Sequence, residues 1–311
     1  MVLNVQGSPH IKDKVTTSSI MLDVVISLIP ATIWGIQVFG FYSALVVIVS
    51  ILSAVLSETI FNIVAKRPNT ILDFSAVVTG LILGLNMPPS VTLFVPAIGS
   101  VFAIVVVKML FGGLGQNFMN PALAARCFCL MSFAGYMNNF NSLMSVDAYT
   151  SATPLMILKT GREVNVLDMI FGYIPGTIGE VSAICILIGA IYLSIKKIID
   201  LRIPLFYIIT FVVFIMLFSH GKTTNINYIL GEVFGGGLIF GAFYMATDYS
   251  TSPITPLGRV IYGILLGVLT GIFRIYGKSS ESVSYVILFA NLLVPIIESF
   301  TIPTAFGKEG K

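Results

Sequence analysis

With 311 residues, 56% of them hydrophobic and 10% charged, and a mean hydropathy of +0.98, the chain is too apolar and too sparsely charged for a soluble domain. Its net charge of +3 comes from Lys and Arg scattered between apolar stretches, which excludes a nucleic-acid footprint. The composition points to an all-α polytopic membrane protein whose main surroundings are the lipid bilayer.

Residues 1–19 carry Lys12 and Lys14 without an apolar core, so they read as a leading segment rather than a cleavable signal. A full span needs about 20 apolar residues, fewer where a helix is broken inside protein. By that ruler the first half holds apolar stretches at 20–40, 42–65, 72–85, 93–111 and 121–136. The second half holds them at 181–195, 203–219, 230–246, 260–276 and 283–300. About ten transmembrane helices are expected, some short or broken. The chain divides into 1–19, a first five-helix repeat at 20–136, a polar connection at 137–179, a second repeat at 180–301 and a tail at 302–311.

Basic residues set the expected orientation. With the N-terminus in the cytoplasm, Lys12, Lys14, Lys66, Arg67, Lys108, Lys196, Lys197, Arg202, Arg259, Lys308 and Lys311 fall inside, while Lys159, Arg162, Lys222, Arg274 and Lys278 fall outside. Arg126 is expected near the inner end of the fifth span. Both termini are then cytoplasmic and the 137–179 connection is extracytoplasmic.

Five spans is an odd number, so two similar halves would have opposite topology. An internal echo supports such an inverted repeat: Thr79-Gly80-Leu81-Ile82-Leu83-Gly84 runs into Pro88-Pro89-Ser90, and Gly236-Gly237-Leu238-Ile239-Phe240-Gly241 runs into Ser252-Pro253. Paired, interrupted short segments mark the centre of such folds.

Three stretches could carry chemistry. The turn at 112–122 combines Gly112, Gly113 and Gly115 with Asn117 and Asn120 ahead of Pro121. Glycines allow close approach, and amides donate and accept together, which suits a neutral hydrogen-bonding ring such as a flavin. The plainer reading of the same spacing is a glycine-rich turn with an Asn cap and Pro at the first helical position. The 243–259 stretch reads as a polar turn, with Asp248 as a cap and Arg259 anchoring the next helix. The run at 147–155 is a loop: Asp147, Thr150 and Ser151 favour turns, and Pro154 biases Thr153 away from helix.

Acids within apolar stretches are functional candidates by default, here Asp23, Glu58, Asp73 and Glu298. Each also has a structural reading as a cap or an interfacial group. Glu180 is expected to open the sixth span, where the helix dipole favours an acid. Cys127, Cys129 and Cys185 read as small buried hydrophobes, the residual being an iron–sulfur centre shared with a partner chain. His10 and His220 are lone loop residues. No Walker, Rossmann or metal-ligand spacing appears, which argues against a self-contained hydrolase or an ATP-driven pump.

These pieces together resemble the NqrB/RnfD family, the membrane flavoprotein subunits of the Rnf ferredoxin:NAD oxidoreductase and of the sodium-pumping quinone reductase. The resemblance is carried by Ser8-Pro9-His10-Ile11, the 117–122 turn, the 147–155 loop, the 176–182 and 242–256 stretches and Phe289-Ala290-Asn291. It implies that a flavin transferase attaches FMN by a phosphoester to the last Thr of a Ser-Gly-Ala-Thr type motif, outside the cytoplasmic membrane. That position is Thr153, preceded by Ser151 and Ala152 with Asp147 upstream; Ser151 stands where the motif often has Gly. The 137–179 connection then becomes the flavin-bearing loop. Such an acceptor is expected to be an exposed hydroxyl on a deformable loop.

The resemblance also implies a riboflavin site at Asn117 and Asn120. Implied partners are the other Rnf subunits, including the second covalent-FMN subunit RnfG and the iron–sulfur membrane subunits. The implied role is an electron-relay subunit of a translocase, not active alone, that couples electron flow to Na⁺ or H⁺ movement. The competing reading is a flavin-free channel or secondary transporter, since inverted-repeat folds with broken helices host many functions.

Overall fold

The computed structural model describes residues 15–140, 153–162, 164–219, 226–277 and 282–303. Asp147, Ser151 and Ala152 lie outside these described residues, as do His10 and His220.

The described residues are helical, with no strand among them. α1 (Thr17–Phe39) opens on a capping box, in which the Ser19 amide donates to Thr16 Oγ1 and the Thr16 amide to Ser19 Oγ. Gly40, at φ 85°, ends it and turns directly into α2 (Phe41–Val64). α3 (Ser75–Leu85) follows, then α4 (Phe94–Val101), which continues as a π-helix over Phe102–Met109. α5 (Pro121–Ser132) and the single-turn α6 (Ala134–Met137) complete the first half. The connection contains the short helices α7 (Pro154–Lys159) and α8 (Val166–Phe171).

The second half comprises α9 (Ala183–Ile195), α10 (Arg202–Phe218), α11 (Ile226–Phe234), α12 (Leu238–Phe240, running into π-helical Gly241–Met245), α13 (Pro256–Tyr276) and α14 (Val283–Thr301). A helix thus lies at each of the ten apolar stretches. Four of them, α1, α2, α13 and α14, are long and apolar enough to cross a membrane. The α11–α12 pair, bent by 54°, makes a fifth if counted as one broken span. Outward-facing Ile33, Leu52, Leu56, Ile188 and Ile209 are more than half exposed, the arrangement of helices that are apolar all round and face lipid.

Small residues set the helix contacts. A Cβ on Gly189 of α9 would lie 2.0 Å from the Ser27 carbonyl oxygen of α1, and one on Gly80 of α3 would lie 2.7 Å from Ile51 Cα of α2. Gly263, Gly267 and Gly271 make one face of α13 that packs on α10. Between the halves, α1 packs on α9 and α5 on α14. These are the first and fifth helices of each half.

The structure corrects two expectations. Glu180 does not open a helix: α9 begins at Ala183, capped by the Ser182 hydroxyl, and Glu180 precedes it in a turn. Its carboxylate is 3.1 Å from the Arg126 guanidinium, a stronger partner than a helix dipole. Arg126 is not at the end of its helix but midway along α5, buried, and reaches that turn. The 176–180 stretch is drawn inward to meet it. Ile178 is fully buried, and the Ile178 and Gly179 amides donate to the Met87 and Leu85 carbonyls at the end of α3.

Candidate functional site

Two turns, 112–120 and 246–255, face each other across a cavity of about 800 Å³. That volume lies within the ~300–1,000 Å³ range of small-molecule sites. Each turn follows one of the two π-helices, a helical variant that gathers at functional sites. Neither π-helix is legible from apolar periodicity, because one extra residue per turn leaves the stretch equally apolar.

Asn120 caps α5, its Oδ1 accepting from the Ala122 and Leu123 amides, as the Asn-Pro spacing requires. Its Nδ2 donates to the Met245 carbonyl at 3.5 Å, so the cap of one half is tied to the π-helix of the other. Asn117 also lines the cavity; it is buried, and its Oδ1 has no hydrogen-bond partner. Asp248 accepts from the Ser250 and Thr251 hydroxyls within its turn, and burial pushes its carboxyl up; the cap of α13 is Thr255, not Asp248 as expected. Glu298 accepts from the Ile254 amide at 2.9 Å. Asp248 and Glu298 are the charged side chains among the described lining residues, and neither Lys nor Arg is among them.

A narrower cavity of about 70 Å³ continues past Asn117 and Asn120 to Ser75 and Lys108. Lys108 donates to Glu58 Oε2 and to Ser75 Oγ, each at 2.6 Å; Thr70 donates to the other oxygen of Glu58, and Asp73 accepts from Ser75. Asp23, the last of the four acids singled out in the sequence, accepts from the Tyr192 hydroxyl at 2.6 Å.

Thr153 belongs to a different site and shares no lining residue with these cavities. Its backbone is extended, φ −63° and ψ 152°, as Pro154 dictates, and it precedes α7. The expected exposure of its hydroxyl is not met: Thr153 is 6% exposed and its Oγ1 is buried without a partner. It faces a cavity of about 20 Å³ lined also by Ile174, Gly176, Glu180, Phe234 and Gly236. That is room for about one water. A buried hydroxyl without a partner in this small cavity is the opposite of the exposed acceptor expected there.

The break between α11 and α12 forms the floor of this seat. Gly236 and Gly237 have φ of 60° and 66°, and Leu155 fills the space a Cβ on Gly236 would take. Arg274 at the end of α13 donates to the Glu232, Gly235 and Gly236 carbonyls and lies 3.2 Å from the Glu232 carboxylate. This buried pair was reachable from sequence through one signal, an acid inside the 230–246 apolar stretch. Lys159, at the other end of α7, donates to the Gly277 carbonyl, and burial lowers its pKa.

The described residues contain no cluster of three or more His, Cys, Asp or Glu able to hold a metal. Cys127 and Cys129 are buried and Cys185 partly so, all as free thiols.

A family model described as the NQR2, RnfD, RnfE family matches residues 4–307, the length of the chain that holds both sites. The chain belongs to this family. Among its relatives, the D subunit of the Na⁺-translocating ferredoxin:NAD⁺ oxidoreductase complex of Acetobacterium woodii is 43% identical over 98% of this chain and 95% of that protein. The D subunit of the proton-translocating ferredoxin:NAD⁺ oxidoreductase complex of Clostridium ljungdahlii is 38% identical over 98% and 96%. Its counterpart in the ion-translocating oxidoreductase complex of Aliivibrio salmonicida is 30% identical over 99% of each chain. As a member of the NQR2, RnfD, RnfE family the chain is matched as a whole, not through one half or one motif.

Proposed function

We propose that this chain is the membrane electron-relay subunit of an ion-translocating ferredoxin:NAD oxidoreductase complex, carrying FMN on Thr153 through a phosphoester. The observation that carries the reading is 43% identity across nearly the full length to the D subunit of such a complex. A flavin takes one or two electrons, which is the chemistry a relay between iron–sulfur centres and a two-electron acceptor needs. NAD and ferredoxin would bind other subunits, RnfG and the iron–sulfur membrane subunits would be neighbours, and a flavin transferase would act during maturation.

The proposal places ten helices in the cytoplasmic membrane as two inverted repeats, with both termini inside and Thr153 outside. The pairings α1 with α9 and α5 with α14 are those a two-fold relation between the halves would make. In the same frame Lys108 and Arg274, each near the C-terminal end of the fourth span of its half, would lie toward opposite membrane faces. The large cavity would hold a second, neutral flavin such as riboflavin. Its Asn117 amide offers an unbonded acceptor, and its Asp248 and Glu298 carboxylates disfavour a phosphate-bearing one.

The bent helix pair is also what a flavin-free channel or transporter would show. A denaturing gel of the chain purified from cells that contain the transferase separates the readings. A band fluorescent under ultraviolet light, lost in Thr153→Ala and mapped to the Thr153 peptide by mass spectrometry, is the expected result. A dark band from the unaltered chain overturns the relay reading.

A further inference from the structure

The 246–255 turn separates the large cavity from a further one of about 380 Å³, since Tyr249 and Ser252 line both. This further cavity lies where α9 ends and where α10 and α13 begin, with Ser194, Lys197, Asp200 and Arg259 in its lining. Asp200, the one acid among the described lining residues, is already engaged: it accepts from Arg259 and from the Arg202 amide, and the Arg202 guanidinium lies 3.9 Å away. Arg259 also donates from Nε to the Pro253 carbonyl, which leaves one terminal nitrogen without a partner among the described residues. The Lys197 ammonium is exposed and has neither an ion pair nor a hydrogen bond among them. Around the cavity Lys196, Lys197, Arg202 and Arg259 stand against Asp23 and Asp200, so positive charge is in excess.

Unengaged N–H donors with surplus positive charge suit the oxygens of a phosphate, and hydroxyls such as those of Ser194, Tyr249 and Ser252 add neutral donors. The same helix ends carry apolar side chains turned outward. Ile195 on α9, Leu205 on α10 and Leu257 on α13 are half or more exposed, the surface that acyl chains cover in a membrane protein. A soluble phosphate would use the cations alone; a phospholipid uses the cations and the apolar rim together. A zwitterionic head group would bring a second cation into a region already rich in them, whereas an anionic one brings none. Basic pockets between membrane helices hold anionic head groups in this way.

We propose that this cavity binds the head-group phosphate of an anionic phospholipid, such as phosphatidylglycerol. Lys197 and Arg259 hold the phosphate, and the outward apolar residues of α9, α10 and α13 lie along its chains. The site is separate from Thr153 and needs no flavin in either of the other cavities.

The test titrates the full chain, purified in detergent and stripped of lipid, with phosphatidylglycerol or with phosphatidylcholine of the same acyl chains, and reads bound lipid by native mass spectrometry. Phosphatidylglycerol should bind about tenfold more tightly, and Lys197→Gln should weaken it about fivefold, the effect of one lysine beside an anionic lipid. Lys197→Arg should keep the affinity. Lys66→Gln, which removes an exposed lysine outside the cavity, should leave it unchanged. Equal binding of the two lipids overturns the proposal, as does a loss in Lys66→Gln equal to that in Lys197→Gln, which would reduce the effect to general surface charge. Glycerol phosphate, a phosphate without chains, is the remaining arm. If it displaces the lipid at equal concentration, the cavity takes a soluble phosphate and the lipid assignment falls.

Discussion

Lys108 Nζ lies 2.6 Å from Glu58 Oε2, with both side chains shut off from the surface. Removing one partner of such a pair strands the other charge in low dielectric, at a cost of about 3–5 kcal/mol, whereas replacing both with apolar residues is often neutral. Glu58→Gln should therefore melt well below the unaltered chain in detergent, and Lys108→Met/Glu58→Leu should recover most of the loss. A double variant as unstable as the single one would show that the pair does more than satisfy itself.

Arg274 holds three carbonyls at the α11–α12 break as well as the Glu232 carboxylate. Arg274→Gln removes the counter-ion of the buried Glu232 carboxylate and takes donors from the helix-end carbonyls, again on the order of 3–5 kcal/mol. Arg259 contacts Asp200 while partly exposed, and Arg259→Gln should cost about 1 kcal/mol or less. Thermal melting of the two variants side by side checks the ordering.

Gly189 allows the Tyr244 hydroxyl to reach the Ser27 and Ile186 carbonyls across the α1–α9 contact. A methyl there would sit 2.0 Å from backbone oxygen, so Gly189→Ala should cost about 1–3 kcal/mol or more by overpacking. Gly176, with nothing within 4 Å of its would-be Cβ, is the control. Gly176→Ala should melt like the unaltered chain.

Asn120 has two separable roles. Asn120→Asp keeps an oxygen for the Ala122 and Leu123 amides, while Asn120→Ala loses the cap and about 1 kcal/mol. If Asn117 and Asn120 hold a noncovalent flavin, replacing both with Leu should release it and leave the covalent adduct on Thr153. Flavin extracted without cleaving the phosphoester is the measurement, and an unchanged amount would remove the second flavin from the proposal.

At Asp200 burial works against the carboxylate, but the Arg202 amide and the Arg259 guanidinium outweigh it and hold its carboxyl below the usual range. A carboxyl depressed on folding adds stability above its unfolded pKa, about 3.9, and loses it as pH falls through the lower folded value. Melting curves taken through that acid window should separate the unaltered chain from Asp200→Asn. The gap should be widest above about pH 4 and close below it.

Much of the helical layout was legible because the bilayer allows few solutions. A backbone in lipid must satisfy its own hydrogen bonds, so apolar runs become helices, and bounds such as Gly40 and the Asn120-Pro121 cap could be read directly, whereas α13 starts at Pro256 behind a Thr255 cap, four residues before the expected 260. The Asp248 turn and the extended backbone of Thr153 are equally local, fixed by side chains within a few residues.

What could not be read is what depends on partners far along the chain. Residue by residue, Glu180 and Arg126 gave no sign of each other, yet they lie 3.1 Å apart because the 176–180 stretch folds inward onto α3. Glu232 and Arg274 meet because α13 ends beside a helix break, and Thr153 is buried because Leu155 fits where Gly236 lacks a side chain. Sequence by itself determined an all-helical membrane protein of this family, through composition, local capping and motif. Tertiary structure alone decided which charges are paired and which hydroxyl is shut away, since burial and ion pairing arise from packing between distant segments.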